Sequence, residues 1–250
     1  MQNKKILLSS LIHNRAWILP QFLEHILNLD YDKSLIHLYF VLNNSIDNSF
    51  NIIREFQNKY KDEYYGITIM IKNFDRGCND ERMNRHIKNK EMKTYEILKN
   101  LRSFVVNIFY EGDYDYLFSV DSDILLNKDD LNLLIKSKKD AVAGLICNSE
   151  EIKNAYNFLF LHGDFFYRAH DFNIPEEVFE VGLTGAVILF NQNIFSFGKI
   201  DYFGEKFTSE DEEFCYKLAS KVGTRIFVNP KVTPKHILSK EMLEDGNCSI

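Results

Sequence analysis

The chain has 250 residues, 45% hydrophobic and 26% charged, with only 4 prolines and 11 glycines, which is the balance of a globular protein with a sizeable core and not of a linker or a collagen-like segment. Its formal net charge of -6 excludes a dedicated nucleic-acid binder, whose phosphate contacts require excess positive charge. Cys78, Cys147, Cys215 and Cys248 lie far apart without a C-x-x-C spacing, so they read as reduced thiols and the protein as cytosolic, with peripheral membrane association left open. The N-terminal apolar stretch is too short for a signal-peptide core, and no apolar run is long enough to span a bilayer, so no transmembrane segment is expected.

Apolar runs alternate with periodic stretches in the order of an α/β domain. Residues 6–12 read as a buried strand and are followed by the polar turn His13-Asn14-Arg15. A helix begins near Ile18, with Pro20 in its first turn and Phe22, Leu23, Ile26 and Leu27 on one face. Residues 35–42 form a second strand, ending in the polar turn 43–49, and Ile52, Ile53, Phe56 and Tyr60 then recur at helical spacing. A third strand covers 67–71. Residues 79–110 are mostly helical, with a basic first part (Arg82, Arg85, His86, Lys88, Lys90, Lys93) that reads as a solvated face or as help for a pyrophosphate. The strand at 114–120 runs directly into Asp121-Ser122-Asp123. A short helix near 129–137 and a strand at 141–146 follow, then an irregular aromatic stretch over 148–175, an apolar segment at 187–190, and a helix and strand within 209–228. No internal repeat or linker is visible, so one domain is expected over residues 1–250.

Three groups could carry chemistry. In open α/β sheets ligands bind beyond the carboxyl ends of the strands, and here a hydrophobic strand delivers Asp121 and Asp123 to that edge. Alternation puts both carboxylates on one side of an extended segment, within reach of one Mg²⁺ or Mn²⁺. Paired acids after a buried strand are costly without a cation, although D-x-D tripeptides also occur in ordinary acidic loops. Ser209 and Glu212 form a capping box, so a helix starts there, its buried face carries Phe214, Leu218 and Val222, and Gly223 ends it. Glu210 and Asp211 then face the rim of the sheet, where acids also favour a first helical turn through the macrodipole alone. His236 is the third, a lone histidine open to a packing or a ligand role. The turns at 13–15 and 43–49 share the edge with Asp121, where their polar groups could hold a base and ribose or serve as turn chemistry only. The aromatics at Phe158, Phe160, His162, Phe165 and Phe166 read mainly as packing, with an acceptor platform or lid as the alternative.

In order, these pieces resemble the GT-A fold glycosyltransferases, in particular family 2-like members and the Anp1-type mannosyltransferases. The likeness runs from about Lys5 to Ile237. It rests on the opening strand with its Asn14-Arg15 turn, on Val41-Leu-Asn-Asn-Ser-Ile-Asp-Asn-Ser49, on Asp121-Ser-Asp123, on Val181-Gly-Leu-Thr-Gly-Ala-Val-Ile-Leu-Phe190, on Glu210-Asp211, and on His236. Asn43 stands where an aspartate is frequent, and no Q-x-x-R-W motif occurs (the only tryptophan is Trp17), which speaks against a processive polymer synthase.

The resemblance implies a mostly parallel central sheet flanked by helices and a metal-dependent, inverting, non-processive hexosyltransferase. Asn14, Arg15, Asn43, Asn44, Asp47, Asp121, Ser122 and Gly185 become donor-binding candidates. Asp123 and His236 are implied as ligands of Mn²⁺ or Mg²⁺, with Asp121 reaching the ribose, a metal-bound water or the ion. Asp211 is implied as general base, with Glu210 as its runner-up. The donor implied is a UDP-sugar ahead of GDP-mannose, and the acceptor a glycan, lipid-linked or protein hydroxyl. Rival readings are a sugar nucleotidyltransferase, which would ordinarily place glycine in the first turn where Ser10 to Arg15 has none, and a GT-A-like binding protein without catalysis.

Overall fold

A computed structural model describes residues 4–74, 88–148, 155–169 and 171–244. Eight strands form its central sheet: β1 (Ile6–Ile12), β2 (Ile36–Leu42), β3 (Gly66–Ile71), β4 (Tyr116–Val120), β6 (Ala141–Gly144), β9 (Phe179–Val181), β11 (Val187–Asn191) and β12 (Ile226–Asn229). Their order across the sheet is β3-β2-β1-β4-β11-β6-β12-β9. Only β11 and β9 run against the rest, so the expected mostly parallel sheet is present.

Strands buried on both faces read as continuous apolar runs, which is why 6–12 and 36–42 lack polar alternation. In β1, Ile6, Leu8 and Ile12 enter one apolar layer, with Phe22 and Ile26 of α1 (Leu19–Leu27) and Ile53 of α2 (Ser49–Tyr60). Leu7 points into the opposite layer, with Leu101, Val105 and Phe109 of α3 (Lys88–Glu111) and Phe214 of α5 (Glu210–Lys217). Burying each such large side chain contributes about 1.5–3 kcal/mol, an upper figure because the unfolded chain is itself partly collapsed.

Because the parallel strands share one direction, the segments after β1, β2, β4, β6 and β12 meet at one edge. The antiparallel β11 begins at that edge, where Asp121 N–H donates to Ala186 O at 2.7 Å. A small ribbon completes it: β13 (Lys235–His236) pairs with β5 (Ile124–Leu125), and Ile237 N–H donates to Asp123 O at 2.9 Å, so a residue far along the chain lands beside the aspartates.

Two elements depart from expectation. The aromatic stretch is not wholly irregular: β7 (Phe158–His162) and β8 (Phe165–Tyr167) form a hairpin that turns at Gly163, whose φ is 58°. The short β10 (Leu183–Thr184) joins the other side of β7. Phe158 packs into the core while Phe165 is exposed, so packing and surface roles divide within one hairpin. The helix after Ser209 changes to a π-helical turn over Leu218–Val222 before Gly223, at φ 71°, stops it. The short helix α4 (Asp130–Lys136) lies where expected. The side chains of the basic run from Arg82 to Lys93, and Cys78 and Cys248, lie outside the described residues.

Candidate active site

The two front turns are stitched to each other. Asn14 adopts φ 51° and its Oδ1 accepts from Ile46 N–H, while its own N–H donates to Ser45 Oγ. Arg15 N–H donates to Ser49 Oγ, and Ala16 N–H to Asp47 Oδ2. Burial works against the Asp47 carboxylate, yet the Ser49 hydroxyl and the N–H groups of Ala16 and Ser49 hold it below its usual value. The buried Asn43 donates to Lys72 O and to Asn44 Oδ1, and Asn44, at φ 49°, both accepts from and donates to the Phe74 backbone. Asn14, Asn43, Asn44 and Asp47 therefore shape the rim with their side chains, and Arg15 is the one that reaches inward.

Arg15 Nη2 lies 2.7 Å from Asp123 Oδ2. The other oxygen of Asp123 faces His236 Nε2 at 3.7 Å, beyond hydrogen-bonding distance. His236 Nδ1 is 3.2 Å from Asn148 Oδ1, and a proton donated there leaves the Nε2 lone pair aimed at a carboxylate. Two lone pairs facing each other call for a proton or a cation between them. Burial raises the Asp123 pKa, with Asp121 adding to the rise and Arg15 and His236 opposing it. Ser122 is buried between the two aspartates.

Behind Asp121 sits a residue that motif reading missed. Arg102 of α3 is 9% exposed, and it lies 3.2 Å from Asp121, 3.4 Å from Glu210 and 3.8 Å from Asp211. The signal was available: Leu101, Val105 and Phe109 mark the core-facing stripe of α3, and an arginine falls beside it. Ser209 Oγ accepts from Glu212 N–H at 3.2 Å, the expected cap, and starts α5 so that Glu210 and Asp211 point at this guanidinium. Glu210 is almost fully enclosed (side chain 6% exposed), whereas 30% of the Asp211 side chain reaches solvent. Burial lifts Asp211 to about 7, against Arg102 and assisted by Glu210 and Asp121. Gly185 is fitted to this carboxylate, because a Cβ there would stand 2.6 Å from Asp211 Oδ2. Asn157, a second unforeseen residue, fixes the glycine segment by donating to Thr184 Oγ1, Gly185 O and Gly144 O, and by accepting from Ile146 N–H.

The structure thus gathers Arg15, Asp121, Asp123, His236, Gly185, Glu210 and Asp211 at one edge. Among the described residues no group of three or more His, Cys, Asp or Glu side chains forms a ready-made metal cage. Mg²⁺ and Mn²⁺ sites seldom need one, since one or two protein ligands plus substrate phosphates and waters suffice.

Residues 3–189 match the sequence profile described as "Glycosyltransferase family 25, N-terminal domain". The chain belongs to glycosyltransferase family 25. The GT-A expectation holds, and this is the family within it. Relatives in the family include procollagen galactosyltransferase 1-A of Xenopus laevis, 29% identical over 58% of this chain and 24% of that protein. A glycosyltransferase 25 family member of Drosophila melanogaster is 24% identical over 77% of this chain and 32% of its own length. The family 25 chain therefore spans about a quarter to a third of these curated relatives. Two solved GT-A structures share its fold. TarS of S. aureus residues 1–349 in complex with UDP has a TM-score of 0.56 at 15% identity, covering 96% of this chain and 62% of that one. The mannosyltransferase PcManGT from Pyrobaculum calidifontis, in complex with GDP-Man and Mn²⁺, has 0.55 at 15% identity, covering 95% and 58%. Among the described residues no helix is long and apolar enough to cross a membrane.

Proposed function

We propose that this family 25 domain is a divalent-cation-dependent glycosyltransferase, moving a sugar from a nucleoside-diphosphate sugar to an acceptor hydroxyl with inversion and one transfer per encounter. The observation that carries the reading is the charge of the rim. Among the described residues, Asp121, Asp123, Glu210 and Asp211 face two guanidinium groups, Arg15 and Arg102, so the fully ionised site carries two negative charges in excess. A divalent cation matches that excess. The donor set fits as well: a carboxylate, and an imidazole whose far nitrogen is already held by Asn148, the arrangement usual for a metal-ligating histidine. Two ligands about 2.1 Å from one ion stand roughly 3–3.5 Å apart, so Asp123 and His236 need only a small closure.

Asp123 and His236 would hold Mn²⁺ or Mg²⁺, and Asp121 the ribose or a metal-bound water. When bound, the cation supplies Lewis-acid stabilisation of the departing diphosphate, worth several kcal/mol. Arg15, freed from Asp123, adds a cation for the same diphosphate. The stitched turns carrying Asn14, Asn43, Asn44 and Asp47 wall the base and ribose, and Ser122 and Gly185 line the donor sugar. Residues of about 1–125 make the donor half and about 126–240 the acceptor half of one domain.

Asp211 is the general base. It takes the proton from the acceptor hydroxyl, whose oxygen bonds to the anomeric carbon as the bond to the diphosphate breaks and its electron pair leaves with the diphosphate. Its elevated pKa suits a base working near neutrality, and a positioned base contributes about 10²–10⁴ in rate. Glu210, the other candidate, is enclosed against Arg102, which favours Asp211 as the base.

The likeness to UDP-bound TarS and the procollagen galactosyltransferase relatives favour a UDP-sugar, with a galactosyl donor first to test, ahead of GDP-mannose. A glycan, lipid-linked or protein hydroxyl remains the acceptor class. Family membership argues against a nucleotidyltransferase, and a binding protein without catalysis is the contrary outcome of the assay. That assay is release of nucleoside diphosphate from UDP- and GDP-sugars with Mn²⁺, with EDTA, and in Asp123→Asn. Activity confined to metal-loaded protein and lost in the variant supports the proposal. Full turnover in EDTA removes the metal role.

A further inference from the structure

One arginine joins both sides of the site, and stability alone gives little reason for it. Replacing a buried ion network by apolar residues of similar volume is often neutral or stabilising, so the burial of Arg102 asks for another explanation. Its partners supply one. Nη2 reaches Asp121 at the end of β4, on the donor side, while Nε lies toward Glu210 and Asp211 at the start of α5, on the acceptor side. Of the three, Glu210 is enclosed, and Asp121 (side chain 34% exposed) and Asp211 remain open to substrate. Val105 and Tyr202 line the same small cleft as Arg102, Ser103 Oγ accepts from Tyr202 N–H, and the Tyr202 ring stacks on Phe214 with centroids 4.0 Å apart. The other carboxylate oxygen of Asp211, Oδ2, lies where a Cβ on Gly185 would come within 2.6 Å of it.

We propose that Arg102 is a positioning residue for sugar transfer: its guanidinium hydrogen-bonds Asp121 at the end of β4 and Glu210 at the start of α5, and so sets where α5 carries the neighbouring Asp211 relative to the donor. This rests on the general-base reading of Asp211. Glu210 is then the counter-ion that anchors the fork and not a second base. A lysine keeps the charge but presents a single flexible point, so it cannot hold two elements in register. A misplacement of about 1 Å in a reacting group can cost roughly 10²-fold in rate.

The test is a kinetic double-mutant cycle of Arg102→Lys and Asp211→Asn in the full chain, reading kcat for nucleoside diphosphate release and, separately, the Kd for UDP or GDP with Mn²⁺. Thermal unfolding confirms that each variant is folded. Arg102→Lys should lower kcat by about 10²-fold while nucleotide affinity moves by less than about 5-fold. In the Asp211→Asn background the same substitution should change the residual rate by less than about 3-fold, because a residue acting through Asp211 has nothing left to position. Equal losses in both backgrounds, or an Arg102→Lys variant with wild-type kcat, overturn the proposal while leaving Asp211 as base. Full activity in Asp211→Asn overturns the base reading and the positioning role together.

Discussion

Gly185→Ala tests the site through a single methyl group. Gly185 does not occupy the left-handed region, so alanine meets no backbone penalty there. What it meets is Asp211: the new Cβ would stand 2.6 Å from Oδ2 and 3.2 Å from Cγ. Ordinary contact between a methyl carbon and an oxygen begins near ~3.4 Å, so the carboxylate must retreat by roughly 0.8 Å. The retreat carries the carboxylate toward Arg102, now 3.8 Å away, and out of the position the start of α5 gives it. A base displaced by close to 1 Å loses about 10²-fold in rate, while one rotated side chain costs only about 0.5–1.5 kcal/mol in stability. The variant should therefore unfold within a few degrees of wild type, bind nucleotide and Mn²⁺ as before, and turn over about 10²-fold more slowly. Wild-type kcat in Gly185→Ala would refute the reasoning, since Asp211 would have moved without consequence.

The remaining expectations concern pH, the histidine, the cap and the core. With Asp211 lifted to about 7, turnover should fall as pH drops through neutrality, and a rate flat from pH 8 to ~5.5 speaks against Asp211 as base. The same elevation makes a linkage prediction. Its folded pKa exceeds the unfolded one, so its stabilising contribution is fully present below about 4 and is lost as pH rises to about 7. The melting temperature in EDTA should decline over that window more steeply in wild type than in Asp211→Asn, and parallel curves contradict it. His236→Ala should abolish the Mn²⁺-dependent rise in melting temperature and leave the metal-free value nearly unchanged; an intact metal response excludes His236 as ligand. Ser209→Ala should cost about 1 kcal/mol in denaturant unfolding through loss of the Glu212 cap. Phe118→Ala, on the central strand β4, should cost about 3–5 kcal/mol, and a cost below about 1 kcal/mol would mean the sheet centre is not packed as described.

The sheet and much of its rim were legible because two local rules hold strongly here. Doubly buried strands read as apolar runs, and in a parallel sheet the residues just after each strand share an edge, which places Arg15, Asn43 and Asp121 together from strand ends alone. The start of α5 was equally plain, since Ser209 and Glu212 form a cap from adjacent residues. His236 was different. Its approach to Asp123 depends on β13 pairing with β5, a contact between short segments that no periodicity announces, and only the family resemblance suggested it. Arg102 escaped because its partners come from α5 and the end of β4 and share no local pattern with α3. The hairpin of β7 and β8 escaped because strands of 5 and 3 residues with aromatics on both faces show no clean alternation.

A cation-dependent donor site is tested most directly by one measurement: the thermal stability of the chain against UDP, GDP, CDP and their sugars, each with Mn²⁺ and with EDTA. A ligand that binds only the folded state raises its stability by an amount set by concentration over Kd, about 2.7 kcal/mol at roughly one hundred times Kd. A rise with one nucleoside diphosphate, present with Mn²⁺ and gone in EDTA or in Asp123→Asn, is the predicted result, with uridine the expected base. No rise with any nucleotide, or an equal rise without metal, contradicts a cation-dependent donor site at this edge of the sheet.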